Sequence, residues 1–385
     1  MRAPKGFTGT RRVLAAVLLL LATATVDAAA QQSVFGIRGL GHPGRQLNAR
    51  GRGLGGGTAA LDPGAMINPA GVAAFGGISV EVMAETDLRS YTINQVSVDG
   101  LSATRFPLAQ LSGRLWSSPV SFALGFSQYT DRSYDLTSAD TIQIRGAPVG
   151  FDERTTSRGG MADLRLALAY RLGTHARVGA AAHLLTGSAK LQFSRVFADS
   201  AYRPYRIETD ESLSGFGVSA GAIWSPGPFA TFGVSVRSDT RADVTVDSAV
   251  VASVDLPLSV TGGFQLAPAR PLRWSTTFAW HSWGGANADL AARAFDTWEI
   301  GTGLEIGGPE TGVSRFPLRL GYRYATLPFS PTDEQPHEVN FSLGLGASFA
   351  ANRGLVDVAL ERVYRNGGGA RETAWELTWT VTVRP

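Results

Sequence analysis

Repeated alternation of apolar and polar residues, with no apolar helix beside it, constrains this chain more than any other feature. Side chains on a strand point to opposite faces with period 2. From Met161 to Leu172, one face carries Leu164, Leu166, Leu168, Tyr170 and Leu172, and the other Asp163, Arg165, Ala167, Ala169 and Arg171. From Phe316 to Tyr324, Phe316, Leu318, Leu320, Tyr322 and Tyr324 oppose Pro317, Arg319, Gly321 and Arg323. From Val339 to Phe349, Phe341, Leu343, Leu345 and Phe349 oppose Asn340, Ser342, Gly344, Gly346 and Ser348. At the C-terminus, Trp375, Leu377, Trp379, Val381 and Val383 oppose Glu376, Thr378, Thr380 and Thr382. The pattern recurs at Val120–Ser127, Phe216–Trp224, Ala230–Arg237, Leu258–Leu266, Leu272–His281, Trp298–Ile306 and Val356–Tyr364. It is weaker at Ile78–Met83, Tyr91–Val98, Leu108–Leu115, Val178–Leu185, Lys190–Phe197 and Val244–Val250. Helical periodicity is nowhere sustained.

The first 30 residues read as an export leader. Arg2, Lys5, Arg11 and Arg12 precede an apolar run from Val13 to Val26. Asp27-Ala28-Ala29-Ala30 ends in a small-x-small cleavage pattern, which places processing before Gln31. No later segment is apolar enough for a spanning helix, so a membrane-embedded mature chain must cross with strands. Cysteine is absent, which excludes disulfides, a lipid-modified cysteine anchor and thiolate metal sites. The net charge of +3 is small for this length, and no basic run points to nucleic acid.

Two details favour a membrane barrel over a soluble β-sandwich. Aromatic residues gather at strand ends, among them Trp116, Tyr129, Tyr134, Trp224, Trp274, Trp280, Trp283, Trp298, Tyr322, Tyr324, Tyr364 and Trp375. Interfacial girdles have this composition. The less apolar face is mostly Gly, Ser, Thr and Ala, and charged residues are only 17% of the chain, against roughly 25% in soluble proteins. Short connections at Leu172–His175, Ser225–Pro228 and Ala350–Gly354 alternate with longer polar ones near Asp131–Arg158, Ala198–Leu213, Ser282–Ala294 and Leu327–His337. That is how turns and outer loops of a barrel are distributed. The stretch Ser282–Ala294 has room for a short helix. The expected fold is all-β: a transmembrane antiparallel β-barrel of about 14 strands with an N-terminal plug in its lumen.

Before the first strand the chain reads Gly51-Arg52-Gly53-Leu54-Gly55-Gly56-Gly57, and later Asp62-Pro63 and Asn68-Pro69-Ala70-Gly71. Glycine permits close backbone approach, and Asn-Pro marks a turn. The segment lacks alternation and carries Pro43, Pro63 and Pro69, so it cannot form a lipid-facing strand. It resembles the N-terminal segment of FadL-like outer-membrane transporters and the related PorV-type barrels, through Gly53, Gly56, Ala59, Asp62, Ala65, Asn68, Pro69, Ala70 and Gly71. The resemblance implies a hatch inside the barrel, with Asp62, Asn68, Pro69, Ala70 and Gly71 along the ligand path. The expected organisation is a signal peptide over 1–30, a hatch over 31–75 and a barrel over 76–385. Outer-membrane barrels often end in an aromatic residue; this chain departs from that, ending Val383-Arg384-Pro385.

Two enzymatic patterns carry little weight. Gly51, Gly53 and Gly56 fit G-x-G-x-x-G, but no βαβ unit surrounds them. Gly217-Val218-Ser219-Ala220-Gly221 fits G-x-S-x-G, but lies inside an alternating strand and not on a strand-to-helix elbow. His42, His175, His183, His281 and His337 lack metal-ligand spacing. No catalytic residue, metal site or cofactor is expected. Arg165, Arg171, Arg319, Arg323, Glu299, Glu305 and Glu361 fall on expected inward faces. They form either a structural network or, through an arginine, a grip on the carboxylate of an amphipathic substrate.

The function these readings imply is passage of hydrophobic or amphipathic small molecules, fatty-acid-like or hydrocarbon, across the outer membrane. The alternative is a PorV-like anchor or shuttle in protein secretion, with a secretion partner. Outer-membrane lipid, the hydrophobic ligand and the barrel-assembly machinery are the expected partners. The mature protein is expected to start near Gln31, fractionate with outer membranes and run heat-modifiably on gels; recovery from the soluble periplasm defeats this reading.

Overall fold

The structure, a computed structural model, describes residues 33–93, 96–286, 293–308, 316–330, 332–350 and 353–384. Fourteen of the described strands close a ring: β1 (Ser79–Ile93), β2 (Val96–Arg114), β3 (Val120–Asp131), β4 (Ala147–Leu172), β5 (Ala176–Phe197), β6 (Tyr205–Gly227), β7 (Ala230–Asp239), β8 (Leu258–Ala269), β9 (Leu272–His281), β10 (Thr297–Ile306), β11 (Leu318–Thr326), β12 (His337–Phe349), β13 (Gly354–Gly367) and β14 (Ala370–Val383). Each pairs antiparallel with the next. β14 returns to β1, from Ala370 opposite Ile93 to Val383 opposite Val80. Closure leaves no strand edge facing lipid, where an unpaired peptide group would cost several kcal/mol. The leader expected over 1–30 lies outside the described residues.

The expected faces hold. Leu166, Leu320 and Leu343 are 50%, 47% and 45% exposed, while Arg165, Arg319 and Ser342 beside them are buried. With no helix among the described residues able to span a membrane, this exposed leucine-rich exterior is the surface a β-barrel offers to lipid. Trp224, Trp274, Trp298, Tyr364 and Trp375 are exposed on it. Three of the expected girdle aromatics instead turn inward. Tyr134 and Trp283 are buried, and Tyr129 packs against the same inner cluster as Trp283 and donates to Asp239 at 2.9 Å.

Other differences lie above the membrane belt. The polar stretch 131–158, read as a loop, forms a hairpin from Tyr134–Ile144 and the first part of β4. Lys190–Phe197 is the upper half of β5 and not a separate strand, and 205–213 continues β6. Val244–Val250 straddles a hairpin of Arg241–Val246 and Ala249–Asp255, and Tyr91–Val98 spans the end of β1 and the start of β2. Together these raise one side of the barrel into a wall beyond the ring. Apart from a few inward residues such as Leu213, Ala242 and Val254, which are buried, most side chains there are exposed or half-buried on both faces, so little alternation marks them. On this wall a hydrogen bond from Arg241 holds the Asp255 carboxyl below its usual range. In Ser282–Ala294 the described helical piece is a single short turn, Trp283–Ala286.

An eight-stranded barrel can fill its interior with side chains, but wider ones leave a lumen. Here residues 33–75 lie in that lumen, with a short helix at Ala49–Gly53 and a 3-10 turn at Pro69–Ala74.

Arginine placed at Leu166, Leu320 or Leu343 is expected to block membrane assembly, since a charge at mid-bilayer costs about 2–4 kcal/mol. Arginine at Ser348, which lines an internal cavity, is expected to be tolerated. Heat-modifiability and protease resistance report the outcome, and equal tolerance on both faces would refute the register.

Candidate ligand path through the barrel

Residues 45–75 meet the wall in two different ways. Against β1 and β10–β14 the contact is ionic. Arg52, on the short helix, reaches Glu85 at 2.8 Å, Glu361 at 3.3 Å and Glu376 at 3.4 Å. Arg45 reaches Glu361 at 2.8 Å, and Arg50 reaches Glu305 at 3.1 Å. The carboxylates project inward because they occupy the polar phase of their strands. Asn48 caps this helix by accepting from Gly51 N–H at 2.9 Å, and donates to Glu81 at 3.1 Å. The approach is close enough to require glycine on both sides. A Cβ on Gly53 would lie 2.9 Å from Gly344 Cα, and one on Gly321 would lie 2.1 Å from Gly55 N. Gly55 also has φ +59°, a left-handed conformation that costs other residues energy.

Against β3–β8 the contact is tight and mainly between small or neutral groups, with Arg171 and Asp163 the charged wall residues that bond to it. Pro69 and Ala70 press on Gly179, where a Cβ would sit 2.6 Å from Pro69. Val72, Ala73 and Phe75 pack on Ala123, Ala167, Ala169 and Ala181. Asn68 locks the turn. It accepts from Ala70 N–H at 3.0 Å and donates to Ala60 O at 2.7 Å, and it lies within 3.4 Å of the wall carbonyls of Ala222 and Val234. Asp62 accepts from Gly64 N–H at 2.9 Å and lies 3.8 Å from Arg50. Gly71 lies against Asp62 and Pro63.

The expected lumen charges separate into two groups. Arg319 binds Glu305 at 2.7 Å and Asp357 at 2.6 Å. Arg323 joins Glu299 to Glu338, and Arg365 carries the network on to Glu338 and Glu376 at 2.6 and 3.1 Å. Glu361 enters through Arg45 and Arg52. Arg171 instead donates to Ala73 O at 2.6 Å, and Arg165 has no hydrogen-bond partner among the described residues. The inward arginines Arg45, Arg50 and Arg52 were not legible in sequence, because their segment has no period to assign a face. Glu338, Glu372 and Glu376 do sit in phase with the alternation, and that signal could have found them.

One further set was dispersed in the sequence. Asp163, His183 and Ser219 lie on three adjacent strands. His183 Nδ1 is 2.9 Å from Asp163, and its Nε2 is 2.9 Å from Ser219 Oγ. Arg237 and Gln46 also donate to Asp163, at 2.6 and 3.0 Å. Ser219 belongs to G-x-S-x-G, but lies mid-strand in an unbroken ladder with β5. Its neighbouring amides therefore cannot form an oxyanion hole of the elbow type. Gly51 and Gly53 of the other glycine pattern lie in the lumen helix. Among the described residues no acidic and histidine cluster fits a metal ion.

Two cavities flank residues 45–75. At the loop end a space of about 130 Å³ is lined by Ile67, Trp283, Trp298, Leu327, Arg237 and His281, among others. Beside it lies an apolar cluster that includes Leu40, Met161, Leu185, Leu213, Trp283 and Phe329. At the turn end a polar space of about 430 Å³ touches Asp62, Arg50, Glu81, Arg319 and Asp357.

A closed fourteen-stranded antiparallel ring with a lipid-facing exterior defines an outer-membrane β-barrel. The family profile described as BamG matches residues 10–255, and the chain belongs to that family. None of the curated proteins matches it in sequence. Among solved structures it is similar in fold to the Pseudomonas putida toluene transporter TodX, with a TM-score of 0.62, 14% identity, and coverage of 89% of this chain and 99% of that one. The Ralstonia pickettii toluene transporter TbuX gives 0.61, 15%, 88% and 98%. A Pseudomonas aeruginosa FadL homologue gives 0.61, 13%, 89% and 99%.

Removing the Arg52 guanidinium takes one cation from three buried carboxylates that each keep another arginine, Arg105 for Glu85, Arg45 for Glu361 and Arg365 for Glu376, so the loss falls below the roughly 3–5 kcal/mol of leaving a buried charge unpaired. R52A is expected to fold as a barrel while residues 45–75 become protease-sensitive and single-channel conductance rises. Unchanged protection and conductance would show that the arginine does not hold the segment.

Proposed function

We propose that this barrel conducts hydrophobic or amphipathic small molecules across the outer membrane, and that residues 31–75 of the mature chain are its hatch. The leading observation is the arrangement at the loop end. An aromatic-lined cavity and an apolar cluster sit directly against residues 40–46 and 67, so a greasy solute taken from the outer loops would meet Asn68, Pro69, Ala70 and Gly71 next. The toluene transporters TbuX and TodX, which share the fold, support the same reading. The work is binding and passage, with no bond made or broken. Apolar solutes need such a route because a lipopolysaccharide leaflet resists them.

Motion is easier on the β3–β8 side, where the hatch rests on small side chains and the hydrogen bonds of Asn68. On the β10–β14 side it would have to separate buried ion pairs, each costing several kcal/mol.

Replacing Asn68 with Ala strands Ala60 O and frees Ala70 N–H, a local loss of about 1–3 kcal/mol. The doubly substituted N68A/P69A protein is expected to keep its barrel and to change both conductance and toluene uptake in reconstituted vesicles. If it folds normally and neither quantity moves, conduction past the hatch fails, and the secretion-anchor reading takes its place.

A further inference from the structure

The outer surface of the ring carries a charge where hydrocarbon would exclude one. On β12, β13 and β14 the outward phase is apolar up to the row of Leu343, Leu360 and Leu377, which stand opposite one another across the ladder and are exposed. One row nearer the outer loops come Phe341, Arg362, Trp375 and, on β1, Leu88. Val339, Tyr364, Thr373 and Ser90 form the next row, and His337, Asn366, Arg371 and Thr92 the one after. Arg362 therefore faces outward at the upper rim of the apolar belt, with exposed Phe341, Tyr364 and Trp375 around it.

Nothing acidic answers that charge. No carboxylate occupies the outward phase of β12, β13, β14 or β1 among the described residues, and Arg362 has no carboxylate partner among them. It has two rings instead. Its Cζ lies 5.0 Å from the ring centre of Tyr364 and 5.0 Å from that of Trp375. An aromatic ring attracts a guanidinium through its face but does not satisfy the N–H groups, so the rings fix the cation and leave its donors available.

The height is that of the aromatic girdle. Tyr324 on β11 stands in the Tyr364 row, opposite Val339, and stacks on Trp298 and His337. Tyrosine and tryptophan settle at headgroup depth, and the longer connections mark this end of the barrel as the outer one. A planar guanidinium held there matches the oxygens of a phosphate through paired N–H···O bonds. Directly below it the leucine row continues into the belt, a surface for acyl chains that a free anion has no use for.

We infer that Arg362, framed by Tyr364 and Trp375, is a docking site for the phosphate of an outer-leaflet glycolipid, whose acyl chains lie along Leu343, Leu360 and Leu377. The site is on the outside of the wall, separate from the lumen and from residues 33–75, and it stands whether or not solutes pass through the barrel. It gives the barrel a specific lipid neighbour at one sector of its circumference.

Native mass spectrometry of the purified full-length protein, titrated with lipid A and with the same lipid stripped of its phosphates, tests the site. Wild type is expected to bind lipid A at least about tenfold more tightly than the stripped lipid, and R362Q to lose that preference. R371Q removes an arginine two rows higher on the same face, outside the ring pair, and is expected to keep the preference. Millimolar inorganic phosphate is expected not to displace bound lipid A. A wild-type protein that does not distinguish the two lipids, a preference that survives R362Q, an equal loss in R371Q, or displacement by inorganic phosphate would each overturn the inference. The third outcome would mean diffuse attraction by positive charge, and the fourth a site for free anions. Heat-modifiability on gels verifies that each variant has assembled. Should R362Q not assemble, W375L, which removes one of the two rings, carries the same comparison.

Discussion

Backbone hydrogen bonding in hydrocarbon is the constraint from which the rest of this structure follows. A strand in lipid must pair on both sides, and the pairing of β14 with β1 meets that requirement for the whole sheet. A ring of this width has a lumen too large for side chains from the wall to fill. The irregular segment 33–75 is tolerated at membrane depth because protein surrounds it, so the wall and its contents stabilise one another.

The wall addresses those contents in two physical languages. On one side, buried carboxylates from β1, β10, β13 and β14 receive Arg45, Arg50 and Arg52. Each of those contacts is costly to break, because a separated charge stays in a poorly solvated place. On the other side, glycine and alanine on β3–β8 let the hatch backbone approach to contact distance, held by the hydrogen bonds of Asn68. Contacts of the second kind are individually weaker than the buried ion pairs. The asymmetry gives segment 45–75 one side held by ion pairs and one side held by weaker contacts. Arg165 lies on this second side, a buried arginine whose nitrogens have no hydrogen-bond partner among the described residues.

How much of this was legible depended on where each residue sits relative to lipid. Leu164, Leu166 and Leu168 alternate with Arg165 and Ala167 because one face meets hydrocarbon and the other the lumen. The period therefore appears in the sequence and gives the faces correctly. Above the belt, at 134–157, 188–197, 205–213 and 241–255, most side chains on both faces are exposed or half-buried, the period fades, and strands read as loops. Tyr129, Tyr134 and Trp283 show the opposite error. An aromatic residue at a strand end serves a girdle or the inner mouth equally well, and only its direction decides.

The sequence by itself determined the class of fold, the inward phase of Arg165, Arg171, Arg319, Arg323, Glu299 and Glu305, and the turn chemistry of Asn68-Pro69. These depend on local rules: strand period, proline geometry and a side chain bonding to its near neighbours. Tertiary structure decided which charges meet. Arg52 lies 324 positions from Glu376, and Ser219 lies 36 from His183 and 56 from Asp163. No local pattern records such distances, because closure of the ring and the register of every strand between must be set first. It also decided that Arg165, one of several inward arginines in the sequence, has no hydrogen-bond partner among the described residues.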